Sequence, residues 1–158
     1  MFHRIMLLLA TNLGLGYSRK APGTFGTLAG IPAFYLVALC PAWSATLIWV
    51  SVLLLAFWSS AYAGRHFGVV DDGRIVIDEL IGYLTAVMFL PFSWNTAILA
   101  FVLFRFFDIY KVFPANWFDK RMKNGFGVVL DDVVAGVYAG IVLRLCVYFI
   151  PLNGVMSL

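Results

Sequence analysis

Five of the eight acidic residues in this chain sit inside apolar runs, where a carboxylate is costly unless it has work to do. Asp78 and Glu79 are adjacent in "VIDELIG", Asp131 and Asp132 are adjacent in "VVLDDVVAG", and Asp108 stands midway between Arg105 and Lys111 in "FRFFDIYKVF". Carboxylates gathered at one level repel one another and drift towards protonation unless a cation neutralises them. A hard divalent ion does this, and Mg²⁺ suits a set of oxygen ligands that leaves positions open for water and phosphate. The expected metal ligands are therefore Asp78, Glu79, Asp108, Asp131 and Asp132. Zinc fits poorly, because His3 and His66 are the only histidines and Cys40 and Cys146 lie elsewhere. The competing reading of each adjacent pair is a helix cap, since carboxylates in a first turn are favoured by the helix dipole. Capping leaves Asp108 unexplained.

Anion-binding groups accompany the acids. Arg105, Asp108 and Lys111 are spaced by three and share one helical face, so the two cations are placed to meet an anion that a metal at Asp108 also touches. The stretch "SRKAPGTFGTLAG" leads glycines and hydroxyls into a helix start beside Arg19 and Lys20, an arrangement suited to phosphate. Thr24, Thr27 and Lys20 join Arg105 and Lys111 as the expected phosphate contacts. It is not a P-loop, because G-x-x-x-x-G-K-[ST] is absent.

Other phosphate chemistries lack their residues. No cysteine is followed five residues on by Arg, no Asp-x-Asp-x-[Thr or Val] occurs, and "GRHFG" does not supply the histidine pair of histidine-dependent lipid phosphatases. A metal-activated water remains. Glu79, Asp108, Asp131 and Asp132 are the expected catalytic acids, with Glu79 favoured as base for its longer stem.

These residues must be carried by a membrane-embedded scaffold. Of 158 residues, 63% are hydrophobic and 12% charged, about half the roughly 25% charge of a soluble domain. The length suits one domain, residues 1–158. The expected fold is all-α, a polytopic bundle of about five apolar helices, near 27–40, 43–63, 75–92, 95–113 and 128–150, some short or interfacial. The uncharged second segment best matches a bilayer span. The N-terminal "MFHRIMLLLATNLG" has no persuasive cleavage site and is expected to lie at the interface.

Uncharged connections ("CPAW", "LPFSWN", "PLNGVMSL") alternate with connections that hold most of the Lys and Arg. The positive-inside tendency then places the charged loops in the cytoplasm and the tail outside, with Trp43, Trp94 and Trp117 in the aromatic belts. "VIDELIG" and "VLDDVVA" share a pattern and would begin parallel helices at one depth. The net charge of +3 is scattered rather than striped, which fits membrane lipids as partners and argues against nucleic acid. Cys40 and Cys146 read as buried small hydrophobes, and Arg144, deep in the last segment, is expected either to snorkel or to pair inside the bundle.

Four blocks, "APGTFGT", "IDELIG", "FRFFDIYKVFP" and "GFGVVLDDVVAG", occur in order over most of the chain and resemble the phosphatidylglycerophosphatase A family. The resemblance implies a lipid phosphatase of the bacterial inner membrane, multi-pass with its active site facing the cytoplasm. It implies Mg²⁺-dependent hydrolysis of phosphatidylglycerophosphate to phosphatidylglycerol and phosphate, with the acidic motifs falling on the five carboxylates above. Val112 stands where the family tends to have Pro, and Thr27 where Ser is usual. Two alternatives stay open: a CDP-alcohol phosphotransferase-like enzyme, whose signature "DDGR" (Asp71 to Arg74) echoes in part, and a small cation transporter.

Overall fold

The computed structural model describes residues 2–115, 117, 121–122 and 124–149. The tail "PLNGVMSL" and the loop charges Asp119, Lys120 and Lys123 lie outside the described residues. The chain runs through α1 (Phe2–Ala10), a 3-10 turn (Leu15–Tyr17), α2 (Pro22–Ala38), α3 (Ala42–Phe67), α4 (Ile77–Val87), α5 (Trp94–Tyr110) and α6 (Gly125–Phe149), with no strand among the described residues. The all-α expectation holds.

Local chemistry sets the boundaries. Pro22 opens α2 at a position where its missing N–H costs nothing. α3 stops at Gly68, whose φ of 77° is left-handed. Ser93 caps α5 by accepting from the Thr96 N–H at 3.1 Å. The side-chain oxygen of Asn124 accepts from the N–H groups of Phe126 and Gly127, at 3.1 and 3.0 Å, and so starts α6 earlier than its apolar run suggests.

Among the described residues two helices, α3 and α6, are long and apolar enough to cross a membrane, fewer than the five segments expected. α4 is the sharpest departure. The apolar run over 75–92 folds into only 11 helical residues, because Met88 turns to extended backbone with Pro91 close behind. At 1.5 Å per residue α4 is about 16 Å long, roughly half a bilayer core. Such a helix is viable at that depth only if protein surrounds it.

Protein does surround it. α4 packs chiefly on α6, with α2, α3 and α5 around the rest. Its contact with α6 relies on absent side chains: a Cβ on Gly136 would collide with the Gly82 carbonyl oxygen and lie 2.9 Å from Thr85 Cβ, and one on Gly82 would lie 2.8 Å from the Asp132 carbonyl oxygen. Small residues therefore bring the two backbones together. On the α2 side, Gly30 makes room for the fully buried Tyr83, whose hydroxyl donates to the Ala97 carbonyl at 3.1 Å. Trp49 of α3 donates its indole N–H to Thr85 at 2.9 Å.

Both ends of α4 are tied. At its start, Val76 N–H donates to the Ala10 carbonyl at 2.8 Å and the Asn12 amide donates to the Val76 carbonyl at 2.7 Å. At its end, Arg144 of α6 donates to the carbonyls of Ala86 (3.3 Å), Met88 (2.5 Å) and its own Gly140 (2.9 Å). Arg144 is itself exposed, so it reaches from the periphery of α6 to the end of α4, where it supplies positive charge against the negative end of the α4 dipole. Large apolar side chains such as Leu47, Leu54, Ile98 and Ile141 remain exposed on the outer faces, more than a water-soluble surface carries. Trp43, Trp94 and Trp117 are also exposed. Cys40 and Cys146 are unpaired thiols, only half-buried because each lies towards the periphery.

Candidate active site

Asp78 and Glu79 lie in the first turn of α4, as the capping alternative requires. Asp131 and Asp132 do not lie in a first turn. α6 begins at Gly125, so Asp132 is seven residues in, about 10 Å along the axis. Asn124 does the capping there, so capping does not account for the second acidic pair.

The fold brings three carboxylates to one point. Asp78, Glu79 and Asp132 each offer an oxygen within 4.8 Å of the others, across the α4–α6 contact made possible by Gly82 and Gly136. Asp78 and Asp132 are buried, and Glu79 is half-buried with its Oε2 atom enclosed. One oxygen of Asp78 accepts from the Glu79 backbone N–H at 3.1 Å. Among the described residues Glu79 Oε2 has no hydrogen-bond partner, a costly arrangement for a carboxylate unless a ligand completes it. The donor set is all oxygen, which matches a hard cation such as Mg²⁺. His3 and His66 pair with each other at a ring distance of 4.7 Å on α1 and α3, outside the triad.

The other two expected acids flank the triad as ion pairs. Asp131 accepts from Lys111 Nζ at 2.7 Å, and Asp108 accepts from Arg105. Both still act on the triad through space, Asp108 on Glu79 and Asp132, and Asp131 on Asp78 and Asp132. The five carboxylates thus form one electrostatic cluster divided into three clustered oxygens and two cation-bound neighbours.

The phosphate-contact candidates separate similarly. The start of α2 abuts the site: a Cβ on Gly23 would run into Glu79 Oε1 and lie 3.2 Å from Arg105 Nη1. Thr24 is half-buried on this first turn, and Thr27 is buried with its hydroxyl donating to the Gly23 carbonyl at 2.9 Å. Thr27 therefore braces the helix start. Lys20 is exposed in the preceding turn, and no described contact joins its amine to the acids. Asp72 and Arg74 of the "DDGR" stretch bond each other at 2.7 Å, and the guanidinium lies 3.8 Å from the centre of the Phe67 ring. That stretch is a closed turn of its own.

Sequence reasoning gave no close-packing role to Gly23, Gly82 and Gly136. A signal for part of this set existed: Gly136 and Gly140 have the G-x-x-x-G spacing of closely packed apolar helices. Nothing in one sequence says which helix they meet.

The chain matches the phosphatidylglycerophosphatase A family over residues 8–147. It is 36% identical over 151 residues to phosphatidylglycerophosphatase A of Escherichia coli strain K12, covering 95% of this chain and 87% of that protein. Against phosphatidylglycerophosphatase A of Haemophilus influenzae it is 41% identical over 138 residues, covering 86% and 85%. It is also 34% identical over 146 residues to a putative phosphatidylinositol-3-phosphatase of Bacteroides thetaiotaomicron, covering 87% and 90%. No solved structure matches the chain.

Proposed function

Because the chain belongs to the phosphatidylglycerophosphatase A family and is thereby a phosphoric monoester hydrolase, we propose that it hydrolyses phosphatidylglycerophosphate to phosphatidylglycerol and inorganic phosphate, using Mg²⁺, at the cytoplasmic face of the bacterial inner membrane. The observation that carries the metal part of this reading is the triad of Asp78, Glu79 and Asp132, with an enclosed Glu79 oxygen lacking a partner among the described residues.

Asp78 and Asp132 would hold the ion from two facing helices, together with one carboxylate oxygen of Glu79. Bound there, Mg²⁺ supplies Lewis acidity and a lowered water pKa. The other Glu79 oxygen would accept a proton from the attacking water. Arg105 spends one of its five donors on Asp108 and offers the others to phosphoryl oxygens. The first turn of α2, with Thr24, adds the positive end of a helix dipole on the same side. Lys111 holds Asp131 and keeps a positive charge beside the phosphate. The remainder of the chain is a polytopic bundle: α3 and α6 cross the bilayer, and α2, α4 and α5 pack around the site with their charged ends towards the cytoplasm.

Purified protein in detergent should release phosphate from phosphatidylglycerophosphate with Mg²⁺ and stop in EDTA. Absence of Mg²⁺-dependent release from this lipid sinks the proposal. Phosphatidylinositol-3-phosphate belongs in the same assay, since one relative carries that name.

A further inference from the structure

α4 begins without a capping side chain of its own. Its N-cap is Val76, an apolar residue that makes no side-chain hydrogen bond to the first turn, whereas Ser93 and Asn124 cap α5 and α6. The triad residues Asp78 and Glu79 follow directly. A one-residue slip of this start would turn each carboxylate by about 100° and move it about 1.5 Å along the axis, away from the point shared with Asp132.

Other elements hold the start in place. The turn after α1 brackets Val76: its N–H donates to the Ala10 carbonyl at 2.8 Å, and its carbonyl accepts from the Asn12 side-chain amide at 2.7 Å. Gly26 of α2 closes a further side, since a Cβ there would lie 2.7 Å from Val76 Cβ, 2.9 Å from the Val76 carbonyl oxygen and 3.4 Å from the enclosed Glu79 Oε2. The carbonyl of an N-cap residue begins the hydrogen-bond ladder of its helix, so Asn12 acts on the first link of α4.

The turn that delivers this amide is strained. Asn12, Leu13 and Gly14 are successive left-handed residues with φ of 45°, 57° and 99°, and Leu13 has no intrinsic tolerance for that region. Such outliers persist where the surroundings over-determine them, and they gather at functional sites.

We propose that Asn12 is a positioning residue for the metal-binding carboxylates: by holding Val76 it sets the register at which α4 presents Asp78 and Glu79 to Asp132. The proposal rests on the reading of the triad as a Mg²⁺ site in a phosphatase and extends that machinery to a residue outside the acidic motifs.

Asn12→Gly removes the amide while accommodating the left-handed φ, so loss of the donor is separated from added strain. Trp49→Phe is the control, because it deletes a side-chain hydrogen bond to the same helix at Thr85, about two turns beyond the acids. The full chain in detergent is titrated with Mg²⁺, and binding is read from thermal unfolding as well as from phosphate release. Asn12→Gly should need about tenfold more Mg²⁺ for half-maximal stabilisation, and kcat should fall about tenfold with KM for the lipid within about twofold of wild type. Trp49→Phe should lower the unfolding temperature and leave the Mg²⁺ requirement and kcat at wild-type values. An unchanged Mg²⁺ requirement in Asn12→Gly, or an equal rise in Trp49→Phe, overturns the proposal.

Amide exchange of the metal-free wild type needs no variant to fold. The Val76 N–H should exchange as slowly as the interior amides of α4, and exchange as fast as that of the exposed Gly73 overturns the proposal. A wild type that binds Mg²⁺ yet releases no phosphate from the lipid defeats the phosphatase reading alone, since Mg²⁺ binding and amide exchange still decide on Asn12. A wild type whose unfolding does not respond to Mg²⁺ removes the metal reading and this proposal with it.

Discussion

Lys111 at the end of α5 donates to Asp131 in the second turn of α6 at 2.7 Å, and this bond ties α5 to the helix that carries Asp132 of the triad. The Asp131 side chain is 5% exposed and the Lys111 side chain 31%, so the carboxylate is the partner with more to lose.

Lys111→Met should therefore destabilise the protein by about 2–3 kcal/mol, the cost of leaving a buried carboxylate without its cation. Denaturant unfolding in detergent measures it, and Lys111→Arg should recover most of the loss. Equal stability of Lys111→Met and wild type would show that the pair contributes nothing.

The two adjacent aspartates of α6 should behave differently when neutralised. Asp132→Asn removes a triad oxygen and should lower turnover on the order of a hundredfold or more, and abolish the stabilisation that Mg²⁺ gives the wild type. Asp131→Asn acts through Lys111 and should cost nearer tenfold, with Mg²⁺ stabilisation retained. Phosphate release and thermal unfolding with and without Mg²⁺ check both, and identical behaviour of the two variants contradicts the division of the cluster.

Gly136→Ala inserts a methyl against the Gly82 carbonyl, which is backbone and cannot rotate away. The helices must separate, at a cost of about 1–3 kcal/mol. Because the triad spans this contact, Mg²⁺ affinity should fall together with stability. A variant that loses stability but binds Mg²⁺ as tightly as wild type would uncouple the glycine contact from the site.

Arg144→Ala strips donors from the carbonyls of Ala86 and Met88 at the end of α4. Leaving these carbonyls without their donors should cost about 1–3 kcal/mol. Arg144→Lys should restore only part, since an ammonium lacks the guanidinium fork. Full recovery by Lys would mean that charge alone, rather than the forked geometry, supports α4.

The Asp72–Arg74 turn gives a pH prediction. Hydrogen bonds from the Arg74 side chain, the largest influence, hold the Asp72 carboxyl below its ordinary range. A depressed folded value stabilises the fold fully above the unfolded value of about 3.9, and the contribution disappears as pH falls through the lower folded value. Asp72→Asn should remove this segment of the acid-unfolding curve and leave the curve above pH about 5 parallel to wild type.

Much of the candidate site was legible because its residue types are expensive where they stand. A carboxylate in an apolar run advertises itself, and so Asp78, Glu79, Asp108, Asp131 and Asp132 were readable without coordinates. The partition of those five was not, since it depends on side-chain reach: Lys111 extends from the end of α5 to Asp131, and Arg105 turns back to Asp108. The end of α4 was misjudged for a related reason. Hydropathy continues through Leu90, whereas the helix stops at Val87, where Met88 turns extended and Arg144 donates to the carbonyls of Ala86 and Met88.

What the sequence determined by itself is the chemistry on offer: apolar runs of helical length point to helices, sparse charge points to a membrane setting, and five acids inside apolar runs point to a candidate metal site. What only the tertiary structure decided is which acids meet. That rests on how closely α4 and α6 approach, which is set by the missing side chains of Gly82 and Gly136 facing each other across the bundle. A glycine in a sequence carries no mark of the backbone it will touch, because close packing is a property of two surfaces and a single chain segment records only one of them.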